Sequence, residues 1–145
     1  MNTVQIRKAS KKDTKTLLDL LKQLRPLPFS KTQQNYMKTI HDYVSCKDKQ
    51  ILLAIDKSKI IGLASVVFLP RLNQKLELWI PELVVDKNYR KKGIGRSLIQ
   101  SCINMARKKG CSRIRLESGN KRKGSHKFYK KLGFVQYALC FKKVL

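Results

Sequence analysis

Residues Val84-Val85-Asp86-Lys87-Asn88-Tyr89-Arg90-Lys91-Lys92-Gly93-Ile94-Gly95-Arg96-Ser97-Leu98 hold the densest chemistry in this chain. An apolar strand runs into a short basic loop with two glycines, and an amphipathic helix starts directly after them. A helix start leaves several backbone N–H groups unpaired and carries the positive end of the helix dipole. Glycines there let a phosphate approach the backbone closely, so the arrangement suits the diphosphate of a phosphorylated cofactor. Three loop types compete for it. A Walker loop needs Gly-x-x-x-x-Gly-Lys-Ser/Thr, a spacing absent around Gly93 and Gly95. A dinucleotide fingerprint needs a third glycine where Leu98 stands, and the chain has room for only one βαβ unit, although Glu117 lies about where the ribose acid would. The third form, Arg/Gln-x-x-Gly-x-Gly/Ala, is satisfied by Arg90-Lys91-Lys92-Gly93-Ile94-Gly95.

The elements that must hold this loop can be read along the chain. At 145 residues there is room for one domain and one hydrophobic core, and 42% apolar content fits a globular protein. Val4-Gln5-Ile6 reads as a first strand, and Ser10 with Asp13 as a helix N-cap. Leu17, Leu18, Leu21 and Leu24 repeat at helical spacing until Pro26 and Pro28 stop the helix. A second helix is predicted over about 31–44, faced by Tyr36, Met37, Ile40 and Val44. Residues 50–55 and 60–69 form a hairpin around Asp56-Lys57-Ser58, with Pro70 ending its second strand. A fourth strand covers about 75–85, a helix 94–109 stops at Gly110, and a fifth strand covers 112–116. A short helix over 125–132 closes at Gly133, and a last strand is predicted from Phe134 onward.

The fourth strand carries an irregularity. Leu76, Leu78 and Ile80 alternate on even numbers, whereas Leu83 and Val85 alternate on odd ones, with Pro81 at the change. A change of phase within one apolar run means an inserted residue, and proline cannot donate to a ladder. A β-bulge at Pro81-Glu82 is therefore expected, with two separate short strands as the alternative.

Charge and cysteines bound the setting. Thirty-three basic against nine acidic residues give a net charge of +24, which attracts anions, nucleic acid included. The basic residues are spread over nearly every segment, so the total does not mark one binding face. Cys46, Cys102, Cys111 and Cys140 show no Cys-x-x-Cys pair and no ligand-like spacing to His41 or His126, so no metal site is expected. Reduced thiols, the lack of an apolar signal at Met1–Arg7 and the lack of a long apolar run point to a cytoplasmic protein.

At this point the chain resembles a known family. Residues 85–97 resemble the acetyl-CoA pyrophosphate loop of the GNAT superfamily of N-acetyltransferases, and Phe128-Tyr129-Lys130-Lys131-Leu132-Gly133-Phe134 resembles its C-terminal signature. The element order matches that fold from end to end. The resemblance implies an α/β, single-domain fold over residues 1–145, with a central mixed, splayed β-sheet flanked by helices and acetyl-CoA in the gap. Pantetheine would pair with the backbone of Leu83, Val84 and Val85 as an added strand does. The diphosphate would sit on the amides of Lys92, Gly93, Ile94, Gly95, Arg96 and Ser97, with Arg90, Lys91 and Arg96 adding charge. Asn120 and Arg122 would lie on the cofactor side.

The implied reaction moves an acetyl group from a thioester to a primary amine by direct attack in a ternary complex. Glu82 stands where the family often places a base, acting directly or through water, and the reading as a substrate-ammonium anchor stays open. A free N–H at Val84 or Val85 would stabilise the thioester oxygen. Tyr129 matches the family's general acid for the departing thiolate. Many members carry Asn where this chain has Arg122, and Ala where it has Ser125. The run Glu117-Ser118-Gly119-Asn120-Lys121-Arg122 with Ser125-His126 is similar to small-molecule acetyltransferases of the aminoalkylphosphonate type. A neutral or anionic small amine, or a protein N-terminus, fits the electrostatics better than a polycation. The rival reading is a nucleic-acid or ribosome-associated binding protein on the same scaffold, and a homodimer is compatible with either.

Overall fold

A two-residue turn sets the first half of the sheet. Lys57 and Ser58 both take positive φ, 45° and 71°, the conformation that joins two twisted strands most tightly. It links β2 (Lys49–Asp56) to β3 (Lys59–Arg71) in the computed structural model, which describes residues 4–25 and 33–145. The remaining strands are β1 (Gln5–Lys8), β4 (Gln74–Ile80), β5 (Leu83–Val85) and β6 (Arg113–Leu116). The helices are α1 (Thr14–Leu24), α2 (Gln33–Ser45), α3 (Ile94–Lys108) and α4 (Lys123–Lys131). The Cα positions cluster into two units, 1–115 and 116–145.

In the first unit β3 is the hub. It pairs antiparallel with β2, β4 and β5, and β1 adds to the far edge of β2. The order is β1-β2-β3-β4-β6, with β5 on β3. Arg113 reaches Gln74 and Glu77 while Arg115 reaches Glu77 and Trp79, so β6 runs the same way as β4 and the sheet is mixed. A parallel neighbour needs a crossover, and α3 supplies it.

The expected bulge is present. Trp79 lies opposite Val67 and Leu83 opposite Ala64, so Ile80, Pro81 and Glu82 span the same stretch as Ser65 and Val66. The extra residue switches the phase: Leu78 lies opposite Phe68, and beyond the bulge the same sheet face passes to Leu83 and Val85, opposite Ala64 and Gly62. It also splits the expected fourth strand into β4 and β5, so the two alternatives describe one feature.

The two sheet faces are covered differently. Leu17, Leu18, Leu20 and Ile40 from α1 and α2 pack with Ile51, Leu53, Leu63 and Val84. Gly62 points the other way, and a Cβ there would meet Val84 O at 3.1 Å and Leu98 Cδ1 at 3.3 Å. A bare backbone at Gly62 thus lets the start of α3 settle closely onto β3. Ile94, Leu98, Ile99, Cys102 and Ala106 form the buried stripe of that helix, while Ile103 is half-buried.

The entry to α1 is tied by charge. Asp13 accepts from the Ser10 N–H at 2.8 Å and holds the Arg7 guanidinium through Nη1 at 2.9 Å and Nη2 at 2.8 Å. The Arg7 hydrogen bonds hold its carboxyl well down, at about 2, against the opposing effect of burial.

Some expectations shift. Pro70 does not end β3, because it falls at the register shift between Leu69 and Arg71, where no ladder bond is required of it. Pro26, Pro28, Lys31 and the first three residues lie outside the described residues. No strand forms after Phe134: residues 134–145 carry no regular structure, and Val135, Tyr137, Leu139 and Phe141 are exposed. Period-two apolarity makes a strand only where a partner edge completes its hydrogen bonds.

Candidate active site

Glu82 is held in place by a residue the sequence reading did not single out. The Ser65 hydroxyl donates a hydrogen bond to the Glu82 carboxylate and accepts one from the Glu82 N–H, the latter at 3.0 Å. Ser65 N–H in turn donates to the Glu82 carbonyl at 2.9 Å. The bulge thus diverts the Glu82 amide from the ladder and fixes its side chain on one face of the sheet. Ser65 is the sole polar residue in the run 60–69, and that was its signal. Tyr43 of α2 completes the corner. Its hydroxyl is buried beside Ser65, and burial first, then the charge of Glu82, push its phenol up to about 12 against the opposing effect of Ser65.

Directly after Glu82, β5 has a free edge. Ser65 N–H bonds to Glu82 O and Asp86 N–H to Ile61 O, at 2.9 and 2.8 Å. Antiparallel ladders alternate, so Val84 spends its polar groups on Leu63. Leu83 and Val85 turn theirs away from β3. Among the described residues β5 pairs with β3 alone. Of the three residues expected to offer backbone groups, Leu83 and Val85 therefore do so and Val84 does not. The Val85 carbonyl already accepts from Arg90 Nε at 3.1 Å.

The glycine loop ends at the helix start as expected. Gly93 caps α3 with φ 80°, a conformation glycine adopts without strain, and a Cβ there would have nothing within 4 Å. The first bond of the helix runs from Ser97 N–H to Gly93 O at 3.0 Å, so the amides of Ile94, Gly95 and Arg96 are left for a ligand. Ser97 spends its own amide on the helix. Lys91, Lys92 and Arg96 are exposed around this start, and Lys92 Nζ lies 5.2 Å from the Tyr89 ring centroid. Open amides, an uncrowded glycine and surrounding cations fit the diphosphate of acetyl-CoA, and the free β5 edge fits its pantetheine.

In the second unit, Tyr129 of α4 lies edge-on to Phe128 and Phe134, with ring centroids 5.3 and 5.8 Å away. Burial raises its phenol and the nearby Arg122 charge works against this. Arg122 caps α4, and its N–H bonds to Gly119 O at 2.9 Å. His126 Nε2 lies 3.0 Å from that same oxygen, so it braces the turn that carries exposed Asn120.

Known proteins bear on this arrangement. A glucosamine 6-phosphate N-acetyltransferase of Trypanosoma brucei brucei is 37% identical over 78 residues, 52% of this chain and 51% of that protein. This chain thus matches about half the length of that relative. An uncharacterised N-acetyltransferase of Bacillus subtilis is 28% identical over 76% of this chain and 78% of its own. A solved Trypanosoma brucei acetyltransferase structure has a TM-score of 0.83 at 26% identity, covering 99% of this chain and 100% of its own. The model of the acetyltransferase (GNAT) family matches residues 15–134. The chain belongs to that family.

Proposed function

We propose that this protein is an acetyl-CoA-dependent N-acetyltransferase acting on a small primary amine by direct transfer in a ternary complex. The observation that carries the reading is Glu82, locked by Ser65 at a bulge one residue before the free β5 edge. Acetyl-CoA supplies the acetyl group as a thioester. The amides of Ile94, Gly95 and Arg96 with the side chains of Arg90, Lys91, Lys92 and Arg96 hold its diphosphate, and the outward groups of Leu83 with the Val85 carbonyl hold its pantetheine. Asn120 and Arg122 add polar contacts on the cofactor side.

Glu82 receives the substrate ammonium and takes one proton, leaving a neutral amine that attacks the carbonyl carbon. The Val85 N–H, which β3 does not use, donates to the oxygen that gains charge. As the carbon–sulfur bond breaks, Tyr129 gives its phenolic proton to the sulfur, and the second proton that the nitrogen sheds as the amide forms returns through water to the Tyr129 phenolate. Its raised pKa suits that role, because the phenol stays protonated at neutral pH. The four cysteines form no disulfide, and no described helix is long and apolar enough to cross a membrane, in keeping with work in the cytoplasm. The family match from 15 to 134 runs through both units, which supports one catalytic domain.

The test is release of free thiol from acetyl-CoA across an amine panel. Glucosamine 6-phosphate, the substrate named for the Trypanosoma relative, comes first, followed by an aminoalkyl phosphonate, a peptide N-terminus and a polyamine. At least one of the first three should turn over, and Glu82→Gln should lower that turnover about a hundredfold or more, the range for a lost general base. Equal turnover in Glu82→Gln would remove Glu82 from the chemistry.

A further inference from the structure

Trp79 shares the sheet face of Ser65 and Glu82. It lies opposite Val67, two residues along β3 from Ser65, and paired residues point to the same side. Its indole Nε1–H is buried and makes no hydrogen bond. The guanidinium of Arg115 on β6 lies 6.0 Å from the Trp79 ring centroid, and its Nε–H is also buried and unbonded. Glu77, buried between the strands, pairs with Arg113 Nε at 3.2 Å but stands 3.7 Å from Arg115 Nε, beyond hydrogen-bond distance. Two guanidiniums against one carboxylate leave this cluster one positive charge in excess.

Buried donors without acceptors are costly and uncommon, and two of them side by side next to an excess cation ask for an anionic acceptor. A purely structural Glu–Arg cluster would have no use for an unbonded indole N–H. We propose that Trp79, Arg115 and Arg113 bind a phosphate monoester carried by the amine substrate, while Glu82 receives its ammonium. This rests on the acetyltransferase reading and narrows its substrate class. Phosphate suits the site better than carboxylate because the indole N–H and the two guanidiniums are three separate donor groups, and phosphate offers a third oxygen.

Geometry sets the length of that substrate. Two residues along a strand span about 7 Å, and one to two strand spacings of about 4.8 Å separate Ser65 from Trp79 and Arg115. Amine and phosphorus should therefore lie about 8–12 Å apart. Aminopentyl phosphate reaches this span when extended, and aminoethyl phosphate falls short.

The experiment compares aminopentyl phosphate, aminopentanol, aminohexanoate and aminoethyl phosphate, by thiol release and by calorimetry with the acetyl-CoA-saturated protein. Wild type should prefer aminopentyl phosphate over aminopentanol about ten- to a hundredfold, the worth of a charged hydrogen bond, mainly through KM. The preference should persist at high salt, where long-range attraction is screened. Arg115→Met should bring the ratio near one. Trp79→Phe, which keeps an aromatic ring and removes the N–H, should lower it several-fold at unchanged melting temperature. A wild-type ratio near one, a ratio lost at high salt, or one unaltered in both variants would overturn the site. Tighter binding of aminohexanoate or aminoethyl phosphate would overturn the phosphate or the length. Selective binding without turnover would reject the transferase reading and uphold the phosphate site.

Discussion

In the proposed mechanism two side chains act through protons, and each can be isolated. Ser65 touches neither partner of the reaction in the proposed mechanism; it positions Glu82 by donating to its carboxylate and accepting from its amide. Ser65→Ala removes both bonds and should cut kcat about tenfold, with KM for acetyl-CoA unchanged. Ser65→Thr retains a hydroxyl and should restore most of the rate, an outcome that a packing role alone would not give. Tyr129 is the second case. Tyr129→Phe keeps the ring between Phe128 and Phe134 and deletes the proton. Turnover should fall about ten- to a thousandfold with cofactor affinity held, as expected when one general acid is lost. Calorimetry beside steady-state rates reads both quantities. An unaltered rate, with chemistry limiting, would make Tyr129 a packing residue.

At the scale of elements, legibility followed the range of the interactions. The glycine loop is local: Gly93 and Gly95 stand at the helix start they were expected to mark, because a helix N-terminus is fixed by a few consecutive residues. The bulge was legible too, since one inserted residue reverses which side chains face the core, and the apolar phase records it at Pro81. Ser65 was not paired with Glu82 in the reading because register joins them across seventeen positions, and no local pattern encodes register. The tail failed for a related reason. Val135, Tyr137, Leu139 and Phe141 alternate as a strand would, but alternation names a face and not the partner edge that completes it. The Arg7–Asp13 tie, by contrast, tests an element junction directly. Its carboxyl is held at about 2, below the unfolded value near 3.9, so it stabilises the fold above pH ~4 and loses this as pH falls through ~2. With Arg7 partly exposed, the contribution is about 1–2 kcal/mol. Urea midpoints of wild type and Asp13→Asn should differ at pH 7 and converge toward pH 2. A difference independent of pH would mean that the carboxylate charge is not what stabilises the junction.

For the whole molecule the governing quantity is the net charge of +24. It acts at long range, whereas the contacts proposed at Glu82, Trp79 and Arg115 would act at short range, and salt separates the two. Exposed charges are screened over about 8 Å at physiological ionic strength. Attraction of anionic amines, and repulsion of polyamines, should therefore weaken as salt rises, through the encounter step and hence through KM rather than kcat. Acetyl-CoA is itself an anion, so its KM should rise along the same salt series. Nucleic acid would be held by the same field, with a steep salt dependence of its own, and should inhibit transfer at low salt only. The measurement is the specificity constant for a matched anionic and cationic amine at low and high salt, with and without added RNA. The anionic preference should contract with salt toward the residue set by direct contacts, and inhibition by RNA should vanish over the same range. A preference for the polyamine that salt leaves unmoved would place the selectivity in an acidic pocket, against the charge of the chain as a whole.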